Sequence, residues 1–175
     1  MISANAAARV AAEGGRTLVM YGDGAAAAAR RMLPGLPDAC FVPVDLDELR
    51  GAVEHGLAQV VLVAGMDEQA AITGGADGTG GAAEVLGSIT SDMDGGPALA
   101  AEVARAPTAR HAYDLWEAAG RLGPCGRELC RRTAGELERR AAEAAGTPAS
   151  PVAAQVVLVD AAGERMVGMY GRMAR

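Results

Sequence analysis

The segment AQVVLVAG, residues Ala58 to Gly65, limits the fold more than any other stretch of the chain. Its apolar, largely β-branched side chains fall on both alternating faces, so neither face suits water. Such a run predicts an interior strand of a parallel sheet with layers packed on both sides. Two shorter apolar runs precede it. RTLVMY (Arg16–Tyr21) stops at a GDG turn, and CFVPVD ends in Asp45, with Pro43 marking a short or edge strand. AAAAARRML between them has strong helix propensity. DLDELRGAVEHG carries a candidate acidic cap at Asp45 or Asp47 and a helix-ending Gly56.

Beyond residue 88 the pattern changes to helices. GPALAAEVARA, TARHAYDLWEAAGRLG and GRELCRRTAGELERRAAEAAG are helical in period or composition. Thr108 suits the N-cap of the second, whose apolar face would carry Ala112, Leu115, Trp116 and Ala119. After a GTPASP linker, AQVVLVDAAGERMVGMYGRM reads as two strands around DAAG. The expected class is α/β: a Rossmann-like three-layer parallel sheet with additional C-terminal helices and a terminal β-hairpin. Residues 1–15 read as an N-terminal tail and residues 16–175 as a single domain. The Met-containing last strand could form an edge that pairs with another subunit, giving a homo-oligomer.

Composition excludes several classes of function. The formal charge is −6 and aromatics make up 3% of the chain, with no basic patch interleaved with aromatics, which argues against a nucleic-acid partner. No apolar run reaches bilayer length, and the N-terminus lacks a signal-peptide pattern, so a cytoplasmic protein with no membrane partner is expected. Three cysteines, Cys40, Cys125 and Cys130, do not make a disulfide framework and read as inert thiols. The two histidines do not make a metal site. His55 fits a helix C-terminus, where positive charge suits the dipole, and His111 an exposed helix face. No base is spaced to activate Ser88, Thr90 or Ser91. Asp92 and Asp94 read as loop and cap residues, with a paired-carboxylate site as the alternative.

Two glycine-rich stretches are candidate ligand sites. In YGDGAAA, Gly22, Gly24 and Ala27 form a G-x-G-x-x-A pattern after a strand and at a helix start, where a ligand can approach the backbone. Asp45 follows at the end of the next strand, where an acid can accept hydrogen bonds from ribose hydroxyls. Asp23 inside the turn opposes a pyrophosphate and suits a cationic adenosyl ligand better. The alternative is a tight turn with Asp45 as a helix cap. The second stretch spans Gly74, Gly75, Gly78, Thr79, Gly80 and Gly81, and lies too far beyond its strand for a standard dinucleotide fingerprint.

From about Thr17 to Gly171 the chain resembles the C-terminal domain of the cobalt-precorrin-5B C1-methyltransferases of anaerobic cobalamin synthesis. The resemblance rests on AVEHGLAQVVLVAGMDEQAAITGG, ARAPTARHAYDLWEAAG, LCRRTAGELERRAA and AQVVLVDAAGERMVG, in that order. It implies methyl transfer from S-adenosylmethionine to a cobalt-corrinoid intermediate. Gly22, Asp23, Gly24 and Asp45 would hold the adenosyl group, and Gly74 to Gly81 would line the acceptor side. Such a transfer needs alignment and shielding more than acid–base help.

The chain also departs from the family. It lacks the N-terminal domain, which implies a separately encoded half, a fragment or a degenerate relative. AGMDEQ stands where the family has Gly-His-Ile-Gly-Lys, and GADGTGGAAE where it has Asn-Thr-His-Ser. Asp67, Glu68 and Asp77 would repel a polycarboxylate corrinoid. A non-catalytic nucleotide-binding or partner-binding domain on the same scaffold is the alternative function.

Overall fold

A computed structural model describes residues 5–74 and 81–174. The run around Val60–Val63 does become the most enclosed strand. β3 (Gln59–Ala64) is buried at all six positions. On one side it pairs in parallel with β1 (Thr17–Tyr21), which pairs in parallel with the three-residue edge strand β2 (Phe41–Pro43). On its other side lies β4 (Ala153–Val159), again parallel, followed by antiparallel β5 (Met166–Gly171). The sheet order is β2-β1-β3-β4-β5. The α/β class and the terminal hairpin are both present. The hairpin's first strand is also the fourth parallel strand of the sheet.

Two layers of helix enclose the sheet. α2 (Ala26–Met32) links β1 to β2, and Met32 at its end lines a small cavity together with Val61, Val63 and Val157. α8 (Leu122–Ala145) lies against Leu158 through Gly126. Val157 and Leu158 are neighbours on a strand and point to opposite faces, so α2 and α8 cover opposite sides. α3 (Leu46–Glu54) joins the α8 side, as does α1 (Ala6–Ala12), which packs on α3. Residues 6–12 of the stretch read as a tail are therefore part of the core, with Ala6, Ala7 and Val10 buried. Their helix signal is a single cap: the Asn5 side chain accepts from the Ala7 N–H at 3.0 Å.

Four more helices complete the chain between β3 and α8: α4 (Met66–Gly74), α5 (Ala82–Asp92), α6 (Pro97–Ala104) and α7 (Ala109–Ala118). Thr108 caps α7 by accepting from the His111 N–H at 3.1 Å. The buried face of α7 carries Ala112, Tyr113 and Trp116, while Ala119 is exposed. Trp116 is fully enclosed, and its indole N–H donates to Thr90 Oγ1 at 2.8 Å. α8 starts four residues earlier than GRELC suggests. Gly123 and Pro124 lie in its first turn, where a proline removes no intrahelical bond. No described helix is long and apolar enough to cross a membrane.

Among the described residues, the exposed large hydrophobic side chains are Met166, Met169, Tyr170 and Met173, all on β5 or just beyond it.

Candidate functional site

In an open parallel sheet, ligands bind beyond the carboxyl ends of the strands, where successive connections leave in opposite directions. Here that point lies between β1 and β3, because the chain runs outward from β1 to β2 and then crosses back to β3. A cleft of about 460 Å³ opens there. Asp23 after β1, Gly65–Asp67 after β3 and Val159–Ala161 after β4 form its floor. Thr108, Ala109, Arg110 and Tyr113 of the α7 start form one wall, and Gly163 of the hairpin turn closes it.

The first glycine turn sits beside this cleft in a defined shape. Gly22 N–H continues the β1–β3 ladder to Val63 O at 2.8 Å, and Ala25 N–H closes the turn onto Gly22 O at 3.0 Å. Gly24 has φ +75°, which favours glycine. The turn is held from two directions. The Glu68 carboxylate, from the first turn of α4, lies directly on Gly22 and accepts from the Asp23 N–H at 2.9 Å. Gly163, with φ +74°, leaves no room for a Cβ against the Gly24 carbonyl.

The candidate residues thus separate. Gly22, Asp23 and Gly24 share one turn, of which Asp23 alone lines the cleft. Asp45 does not line it. Its carboxylate caps α3 by accepting from the Asp47 N–H at 2.9 Å. Gly74 ends α4 and Gly81 precedes α5, and neither lines the cleft. Gly75, Gly78, Thr79 and Gly80 lie outside the described residues.

The site's electrostatics are acidic. Asp23, Asp67 and Asp160 line the cleft, with Arg110 opposite. The N–H groups of Glu164 and Arg165, donating to Asp160 Oδ1 at 3.0 and 3.3 Å, hold its carboxyl below the ordinary aspartate value. Burial pushes Glu68 up, against the lowering effect of the Asp23 N–H. Burial also raises the Tyr113 phenol, aided by Glu117 and Asp160.

A buried amide anchors the start of α4. Gln69 Nε2 donates to Ala64 O and Val157 O, each at 3.2 Å, and its Oε1 accepts from Thr133 Oγ1 at 3.2 Å. One side chain therefore ties β3, β4 and α8 together just behind Glu68.

Sequence reasoning missed Thr108, Arg110, Tyr113 and Asp160 as neighbours of the turn. QVVLVD held a usable signal for Asp160, since an acid ends a strand as apolar as β3. Reading that strand only as half of a hairpin hid its parallel pairing.

Other candidates are accounted for locally. Asp92 Oδ2 accepts from Arg132 Nη2 at 2.5 Å, and Asp94 sits at φ +61° in the turn after α5. Burial pushes the Cys125 thiol to about 11 and Cys130 to about 12, far from thiolate reactivity at neutral pH. No group of three or more His, Cys, Asp or Glu among the described residues is arranged to hold a metal.

Comparison with known proteins adds a lineage. Residues 77–168 match the family described as CbiD, C-terminal domain. The chain is 40% identical over 174 residues to the cobalt-precorrin-5B C(1)-methyltransferases of Salinispora arenicola and Salinispora tropica. Those alignments cover 94% of this chain and 44% of each relative. It is 38% identical over 141 residues to the protein of the same name from Rubrobacter xylanophilus, covering 75% of the chain and 36% of that relative. The chain thus spans less than half the length of these relatives. No solved structure matches it.

Proposed function

The chain belongs to the CbiD C-terminal domain family, and on that premise we propose that it supplies the C-terminal part of a cobalt-precorrin-5B C1-methyltransferase in cobalamin synthesis. The single observation that carries this reading is the acidic cleft at the carboxyl ends of β1, β3 and β4. S-adenosylmethionine, when bound, supplies the methyl group. Its sulfonium charge suits a floor containing Asp23, Asp67 and Asp160, where a pyrophosphate would be repelled.

The residues of this chain then act by binding and shielding. Asp23 of the Gly22–Gly24 turn presents its carboxylate to the donor, since Glu68 already covers Gly22. Tyr113 and Met66 give the cleft buried apolar surface, and Arg110, paired with Asp114 on α7, offers a cation for the methionyl carboxylate of the donor. The corrinoid acceptor needs further surface, which we assign to the part of the full-length relatives that this chain does not span.

Calorimetric titration of the chain with S-adenosylhomocysteine tests the cofactor reading. One-site saturable binding is expected, weakened at least tenfold by Arg110→Ala. No heat and no thermal stabilisation at millimolar ligand would overturn it.

A further inference from the structure

We infer that Glu68 is a built-in specificity residue: its carboxylate fills the anion position of the first glycine turn, so the adjoining cleft takes an adenosyl ligand without a phosphate there. The inference rests on the cleft being the ligand site proposed above. A strand–turn–helix junction ordinarily offers its free N–H groups to a ligand's anionic group. In this chain Gly22 N–H is taken by Val63 O, and Asp23 N–H by Glu68 at 2.9 Å. The Glu68 side chain also fills the space over Gly22 that a close-approaching ligand would use.

A phosphate at this turn would have to displace a charge-assisted hydrogen bond. It would then lie beside Asp23, Asp67 and Glu68 themselves. A hydroxyl-bearing or cationic ligand meets no such barrier, since a carboxylate accepts hydrogen bonds from hydroxyls and attracts cations. Gln69, locked behind Glu68 by its contacts to β3, β4 and α8, holds this part of α4 in place.

The test is calorimetry at pH 7 on the full chain with ADP and, separately, S-adenosylhomocysteine. Glu68→Gln removes the charge but keeps an acceptor for Asp23 N–H, and Glu68→Ala also frees that N–H. Thermal melts check that both variants fold. Glu68→Ala should bind ADP at least tenfold more tightly than wild type, and Glu68→Gln should gain by a smaller factor. Equal ADP binding by wild type and both variants, including none by any of them, overturns the inference. S-adenosylhomocysteine reports on the other question: if it fails to bind while ADP affinity still follows Glu68, the methyl-donor reading falls and the role of Glu68 stands.

Discussion

The turns after β1 and β2 look alike in sequence and differ in how they are held. Each ends a parallel strand, each carries an aspartate and each leads into a helix. The β2 turn is self-contained, because Asp45 caps the helix that begins one residue later. The β1 turn is held by distant parts of the chain: Glu68 accepts from the Asp23 N–H from 45 residues away, and the hairpin turn presses Gly163 against Gly24. A local cap stabilises one helix. A turn fixed by two remote elements keeps one shape whether or not a ligand is present, as a preformed site requires. The difference leaves the Asp45 carboxylate engaged in its own helix cap and Asp23 as the aspartate of the two that lines the cleft.

The sharpest way to break this comparison is to remove the remote support. Gly163→Ala adds a Cβ where the Gly24 carbonyl already sits, at a backbone angle that disfavours any side chain. The expected loss is about 2–4 kcal/mol by chemical denaturation. Gly56→Ala is the matched control. Gly56 also has a positive φ, +69°, but has open space around it, so only the conformational cost of about 1 kcal/mol applies. Equal losses at the two positions would mean that the hairpin does not brace the β1 turn.

Next in size is Gln69→Leu. The amide is fully buried and partners two strand carbonyls and Thr133. Its loss should cost about 1–3 kcal/mol. It should also loosen the start of α4, seen as faster amide exchange at Asp23 than at Asp47.

The strands, most helices and the hairpin were legible because their signals are local: apolar runs, the Thr108 cap, the DAAG turn. Asp45 as a cap was legible for the same reason, and it stood as one of two readings. The cleft was not legible, because it assembles residues 23, 65–67, 108–113 and 159–163. That grouping depends on β4 entering the sheet beside β3, a pairing separated by about ninety residues of sequence and unmarked in either strand. Glu68 was visible only as an unfavourable charge toward a corrinoid. Its contact with Gly22 needs the β3–α4 junction to fold back over the end of β1.

Asp45→Ala and Asp23→Asn then divide the two turns by readout. Asp45→Ala should cost about 1 kcal/mol of stability, the usual value of an N-cap, and leave affinity for S-adenosylhomocysteine unchanged. Asp23→Asn should barely change stability, because the Asp23 side chain is exposed, and should weaken that affinity several-fold. The reverse pattern in calorimetry and melting would return the ligand role to Asp45.

The smallest effect separates two carboxylates around the cleft that both accept backbone N–H groups. At Asp160 the hydrogen bonds from the Glu164 and Arg165 N–H groups outweigh desolvation, so it titrates below the ordinary aspartate value of 3.8. Its contribution to stability is present above that value and lost as pH falls through the lower folded-state value. Glu68 is half-buried, and desolvation outweighs its one hydrogen bond, so it titrates above the ordinary glutamate value of 4.5. Its contribution runs the other way: it is fully present below 4.5 and lost as pH rises through the higher folded-state value. Carbon-detected NMR titration of the two carboxyl groups should therefore show them moving apart from their reference values. A Glu68 that titrates normally would mean its carboxylate lies in water rather than on Gly22, and the anion position of the β1 turn would then be open.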